Sequence, residues 1–165
     1  MSKADITLAI IILAGAYQGV KDGFILELIS IAAMLIGLLA GFKLMGWVMM
    51  DLEERFHIDA KVLPYISFAT VFFIIVFSVN LLTKYISPKV NHEYLGKVDS
   101  AVGGVLGFFR SAFMLSIFLW IFHSMKLYLP DSWTADSWIL PMVAEFAPDV
   151  THGVGAIIPV FRDLF

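Results

Sequence analysis

A chain of 165 residues that is 60% hydrophobic and 15% charged carries too much apolar material to hide inside a soluble domain of its size. The mean hydropathy of +0.89 agrees. A net charge of −3 removes any general attraction to nucleic acid, and the lack of cysteine removes disulfides, thiolate metal sites and cysteine nucleophiles. The composition is that of an all-α polytopic integral membrane protein, since long apolar runs without two-residue alternation exclude a lipid-facing barrel strand.

Four segments carry the hydropathy, and they predict spans at 6–22, 24–47, 64–84 and 101–125. The first, "ITLAIIILAGAYQGV", has a rival reading as a signal peptide, with Lys3 ahead of it and a small-residue cleavage site at Ala14–Ala16. Asp5 weakens the charge that such a leader needs, and the spacing Gly15, Gly19, Gly23 runs on past the cut, so residues 1–16 are expected to stay. "YQGVKDG" then leaves room only for a tight helical hairpin before the second span.

The acidic connection "DLEERFHIDAKVL" reads as a partly interfacial helix extension, and the loop before the fourth span holds Lys84, Lys89 and Lys97. Residues 1–125 therefore form a four-helix transmembrane domain. Beyond it, 126–165 holds four of the six prolines, too many for a span. Trp133, Trp138, Phe146, Phe161 and Phe165 mark this stretch as an amphipathic tail along the membrane interface. The lysine cluster places the first and third loops in the cytoplasm and both termini outside, although a plain count of basic residues points the other way.

Within the spans the glycines recur at helical spacing: Gly15, Gly19 and Gly23, then Gly37 and Gly41, then Gly103 and Gly107. Such spacing lets helix backbones approach closely. In "KVDSAVGGVLGFFRSAF", with Asp99 at zero, Gly103 falls at about 40°, Gly107 at about 80° and Arg110 at about 20° around a helix. The stripe is thin and charged at both ends. Arg110 lies roughly 15 Å along its helix from Ser100, and Glu27 sits one turn into the second span. Either the two pair as an intramembrane charge pair, or Arg110 snorkels to headgroups while Glu27 meets the aqueous interface; the sequence leaves both open. Asn80 and Ser67 are expected to bond neighbouring helices.

Signs of catalysis are missing. His57, His92, His123 and His152 are scattered without a metal-ligand spacing, and neither a phosphate-binding glycine loop nor a serine nucleophile elbow occurs. No enzyme activity, metal or cofactor is expected.

"GVKDGFILELIS" followed by "VDSAVGGVLGFFRSAF" resembles the colicin V production protein family of bacterial inner membranes. The first stretch is similar to the family's pattern through Gly19, Gly23, Phe24 and Glu27, and the second through Asp99, Gly103, Gly107 and Arg110. Ser137, Leu140 and Pro141 are similar to a late Ser-x-x-Leu-Pro element, while Ser100 departs from the basic residue often found there. The resemblance implies a multi-pass inner-membrane protein needed to produce or export this bacteriocin, with a tie to envelope homeostasis and no catalysis. A subunit of an oligomeric channel or transporter is the alternative, and a membrane scaffold a third. The partners to expect are the lipid bilayer, further copies of the chain and export-machinery proteins, but not nucleic acid.

With the lysine loop inside, Asn91→Cys in intact cells stays protected from an impermeant thiol reagent and Ser2→Cys is labelled. The opposite pattern reverses the orientation.

Overall fold

The structure, a computed structural model, describes residues 2–86, 96–127, 130–134 and 137–157. It is helical throughout, with no strand among the described residues. The helices are α1 (Lys3–Phe56), α2 (Leu63–Ile86), α3 (Gly96–Ser124), α4 (Asp131–Thr134) and α5 (Ile139–Ile157). Lys89 in the third loop and Phe161 and Phe165 in the tail lie outside the described residues.

The hydropathy pattern predicts four spans, whereas among the described residues three helices are long and apolar enough to cross a membrane: α1, α2 over Leu63–Thr83 and α3 over Lys97–Ser124. The difference lies in α1. Its 54 residues contain both the first and the second predicted span, and the expected hairpin is reduced to one non-helical residue, Gly23. As a straight rod α1 would reach about 80 Å, against about 30 Å of hydrocarbon. At φ 77 and ψ 174 Gly23 occupies a region essentially closed to residues with a side chain, so the break needs glycine.

The chain forms two compact units: one takes everything up to Glu27 together with α3 to α5, the other runs from Leu28 through α2. In the second unit the phenylalanines of α2 fill the space that glycines leave on α1. Phe72 and Val76 lie over Gly37, and the Phe68 ring lies over Gly41 and meets Phe42 at 4.6 Å between ring centroids. The partners descend as the glycines ascend, so the two stretches run antiparallel. The Ser30 hydroxyl donates to Asn80 Oδ1 at 3.4 Å, an interhelical bond of the kind expected. Ser67, expected to bond likewise, is wholly buried and its hydroxyl has no partner among the described residues.

In the first unit the C-terminal segment contributes a helix that docks on its neighbours. α5 packs on α3 around a cluster of Ile12, Ala112 and Val143, with Leu115, Ile139 and Phe146 against it. Pro141 falls in the first turn of α5, where a missing amide costs nothing. Pro148 falls inside, and its missing amide leaves the Ala144 carbonyl without its helical donor. The Ser116 hydroxyl, wholly buried on α3, donates to that carbonyl at 3.2 Å and accepts from the Ala147 amide at 2.7 Å.

The other end of α5 is held by Asp5. Ser2 and Asp5 cap the start of α1 reciprocally, each amide donating to the other's side chain at 3.2 Å. The same carboxylate accepts from the Ser137 hydroxyl at 2.5 Å and from the amides of Ile139 and Trp138 at 3.0 and 3.3 Å. Ser137 in turn accepts from the Leu140 amide at 3.3 Å, the arrangement of a helix N-cap. The Ser-x-x-Leu-Pro element is thus a helix start, and Asp5 binds the free amides of two helix ends at once.

Two substitutions separate these roles. Ser137→Ala should cost about 1 kcal/mol, the usual worth of a cap, and speed chymotryptic cleavage before α5 about fivefold. Asp5→Ala should speed it further, because the capping hydroxyl and both amides lose their acceptor together. Equal rates for Asp5→Ala and the unaltered protein would remove the anchor.

Candidate functional site

The helices of the first unit meet along glycine. A Cβ placed on Gly15 would run into Ser111, one on Gly19 into the Gly103 carbonyl, and one on Gly23 into the Asp99 carboxylate. From the other side, a Cβ on Gly107 would stand 2.6 Å from the Gly15 carbonyl oxygen and 3.0 Å from the Gly19 Cα. No side chain fits between these backbones. As the glycines of α1 rise from 15 to 23, their partners on α3 fall from Ser111 through Gly103 to Asp99, so the two helices run antiparallel with one seam through all five glycines. Gly104 abuts the Val20 side chain beside the seam.

At one end of the seam Asp99 lies in the first turn of α3, because that helix begins at Gly96 and not at residue 101 as the hydropathy predicts. Its buried carboxylate accepts from the Phe24 amide at 3.0 Å. That amide opens the helical stretch after Gly23, so Asp99 acts as its N-cap from a separate helix. The negative charge also suits both helix N-termini.

Beyond the break the register changes. Continued along the seam, position 27 would face the start of α3. Glu27 instead lies with Oε2 at 2.8 Å from Nε of Arg110, well inside α3. The break at Gly23 therefore sends the chain back toward the middle of that helix. Glu27 is 1% exposed and the Arg110 side chain 16%. Of the two arrangements open in the sequence, the structure has the pair and not the snorkelling arginine. The contact is close, but the Nε–H is poorly aimed at Oε2, and Glu27 Oε1 has no hydrogen-bond partner among the described residues. An ion pair held by one edge keeps polar capacity in reserve.

The structure thus brings Gly15, Gly19, Gly23, Asp99, Gly103, Gly107, Glu27 and Arg110 into one region. Gly37 and Gly41 are elsewhere, under the rings of α2. Asp5, Ser116 and Ser137 are polar groups whose positions sequence reasoning missed. A signal for Asp5 existed in the Ser2-x-x-Asp5 capping spacing, whereas nothing local marks Ser116 as the partner of a carbonyl on α5. No three of His, Asp and Glu among the described residues gather into a metal-binding set.

The family model described as colicin V production protein matches residues 4–148. That range holds the seam, the break, the ion pair and the start of α5. Neither a curated protein nor a solved structure is matched.

The seam predicts a steep dependence on side-chain size. Gly107→Leu should destabilise by about 3 kcal/mol or more, since backbone has to move to admit it. Gly46→Ala, where a Cβ meets nothing within 4 Å, should instead stabilise by up to about 1 kcal/mol through helix propensity. Denaturation in mild detergent checks both, and a neutral Gly107→Leu would contradict the seam.

Proposed function

The chain belongs to the colicin V production protein family, and from that premise we propose that it is a multi-pass protein of the bacterial inner membrane. Its role there is to support production or export of the bacteriocin and the upkeep of the envelope, without catalysis. The observation that carries the membrane part is the inverted burial. Asp5, Glu27, Asp99, Ser67 and Ser116 are buried, while Ile10, Leu13, Ile36, Trp47, Ile74 and Phe77 are at least half exposed. In water that arrangement would expose a large apolar surface and desolvate charge for little gain. In a bilayer it is the stable one. The two limbs of α1, together with α2 and α3, supply the four crossings of this reading.

In this role the seam and the ion pair hold α1 to α3 at a fixed break, giving the export machinery a rigid element to dock on. The lack of catalytic motifs in the sequence supports a non-enzymatic part. A second reading, a subunit of an oligomeric channel or transporter, is favoured by one feature: within a membrane helix, Glu27 keeps a carboxylate oxygen that has no hydrogen-bond partner among the described residues. Intramembrane carboxylates commonly mark ion or proton pathways.

Colicin V activity should be measured in the supernatant and in lysates of producing cells with and without the gene. The proposal expects supernatant activity to fall on deletion and to return with the unaltered chain. Unchanged activity in both fractions would remove the production role. For the second reading, the purified protein in vesicles should be oligomeric and should pass ions or solutes; a monomer without flux would exclude it.

A further inference from the structure

α5 was expected at the membrane interface, but its neighbours lie deep. Val143 packs against Ile12 and Ala112. Ile12 stands about 13 Å along α1 from Lys3, close to half of a hydrocarbon core of about 30 Å. Ala112 stands about 18 Å along α3 from its last residue, Ser124. Phe146 follows, with its ring centroid 6.2 Å from Phe113 and 6.3 Å from Phe109, the latter still further from that end of α3. A helix resting on the surface would touch only the last turns of its neighbours.

The backbone of α5 is prepared for such a depth. Its first amides are bound by Asp5 and Ser137, and the carbonyl that Pro148 orphans is bound by Ser116. These are groups that water would serve at a surface and that only protein can serve within hydrocarbon.

Glu145 sits two residues beyond Val143, on the outward side of α5, and is exposed. A carboxylate at that depth facing lipid would cost about 2.5–3.5 kcal/mol on insertion scales. It does not need to face lipid. Glu145 lines a cavity of about 400 Å³ formed with Leu119, Trp120, His123, Thr134 and Leu140. The cavity extends from α4 and the last turn of α3 to Glu145; its wall is mostly apolar, and the Glu145 carboxylate, the His123 imidazole and the Thr134 hydroxyl are its polar groups. At about 30 Å³ per water it has room for roughly a dozen molecules.

We infer that the first half of α5 is sunk into the bilayer beside α1 and α3, where this cavity is a water-filled vestibule that carries Glu145 below the membrane surface. The vestibule rests on the reading of α1 and α3 as membrane helices and adds an aqueous compartment to it.

Because the chain lacks cysteine, single cysteines report on this directly. In vesicles, a bimane on Leu13→Cys tests the membrane reading alone, and quenching by deep-labelled lipids and not by aqueous iodide is expected. A bimane on Met142→Cys, exposed on α5 outside the cavity, should be quenched by the same deep-labelled lipids. Glu145→Cys should react with a charged thiol reagent within about tenfold of Glu53→Cys on the end of α1, whereas a dry site would be about a hundredfold slower or more, given the cost of charge in hydrocarbon. Thr134→Cys replaces Glu145→Cys if that variant does not fold. Shallow quenching at Met142 with deep quenching at Leu13, or a slow reaction in the cavity, overturns the vestibule and leaves the membrane reading standing. Iodide quenching at Leu13 overturns both.

Discussion

Backbone contact between α1 and α3 is the constraint on which the first unit rests. Five glycines let the two backbones touch along the seam, and the close approach that follows fixes the register of one helix on the other to within a residue. Asp99 can reach the amide after Gly23 only in that register. The capped break then directs Glu27 to Arg110. Packing comes first in this chain of causes, and the charges follow from it. In a medium without water, each polar group so placed must find its partner in protein: Asp99 accepts from the Phe24 amide, and Glu27 and Arg110 face each other as an ion pair.

The same economy recurs away from the seam. Pro148 removes one amide, and Ser116 supplies a hydroxyl to the carbonyl left behind. Asp5 closes the start of α1 and reaches across to the start of α5. These polar contacts carry no signature of chemistry, and they are the means by which a helix interrupted by proline can sit beside apolar neighbours. The second unit works on a different principle. Its glycines accept aromatic rings, so its fit depends on Phe68 and Phe72 filling volume and not on backbones touching.

Much of this was legible in the sequence, and what was not shares a cause. Glycine spacing, the charged stripe on α3 and the lone glutamate after Gly23 are periodic or local features, so a helical wheel finds them. The extent of α1 was not legible, because hydropathy cannot tell a hairpin from a single glycine in an unusual conformation. The C-terminal segment was read as a surface tail because proline counts against a span. Its packing on α3 was not legible, because the carbonyl that Pro148 orphans is served from another helix. Ser116 and Ala144 are far apart in the chain, and no local pattern joins them.

The pairing of Glu27 with Arg110, to which the capped break leads, is tested most directly by a charge-swap cycle. Stability in bilayer or mild detergent would be measured for Glu27→Arg, Arg110→Glu and the double variant. Each single change places like charges together in a buried site and should cost about 3–5 kcal/mol, as for other broken buried pairs. The double variant should recover about 2 kcal/mol or more of the summed loss as coupling. Losses that simply add, to within about 0.5 kcal/mol, would show that the two residues act independently and would contradict the account.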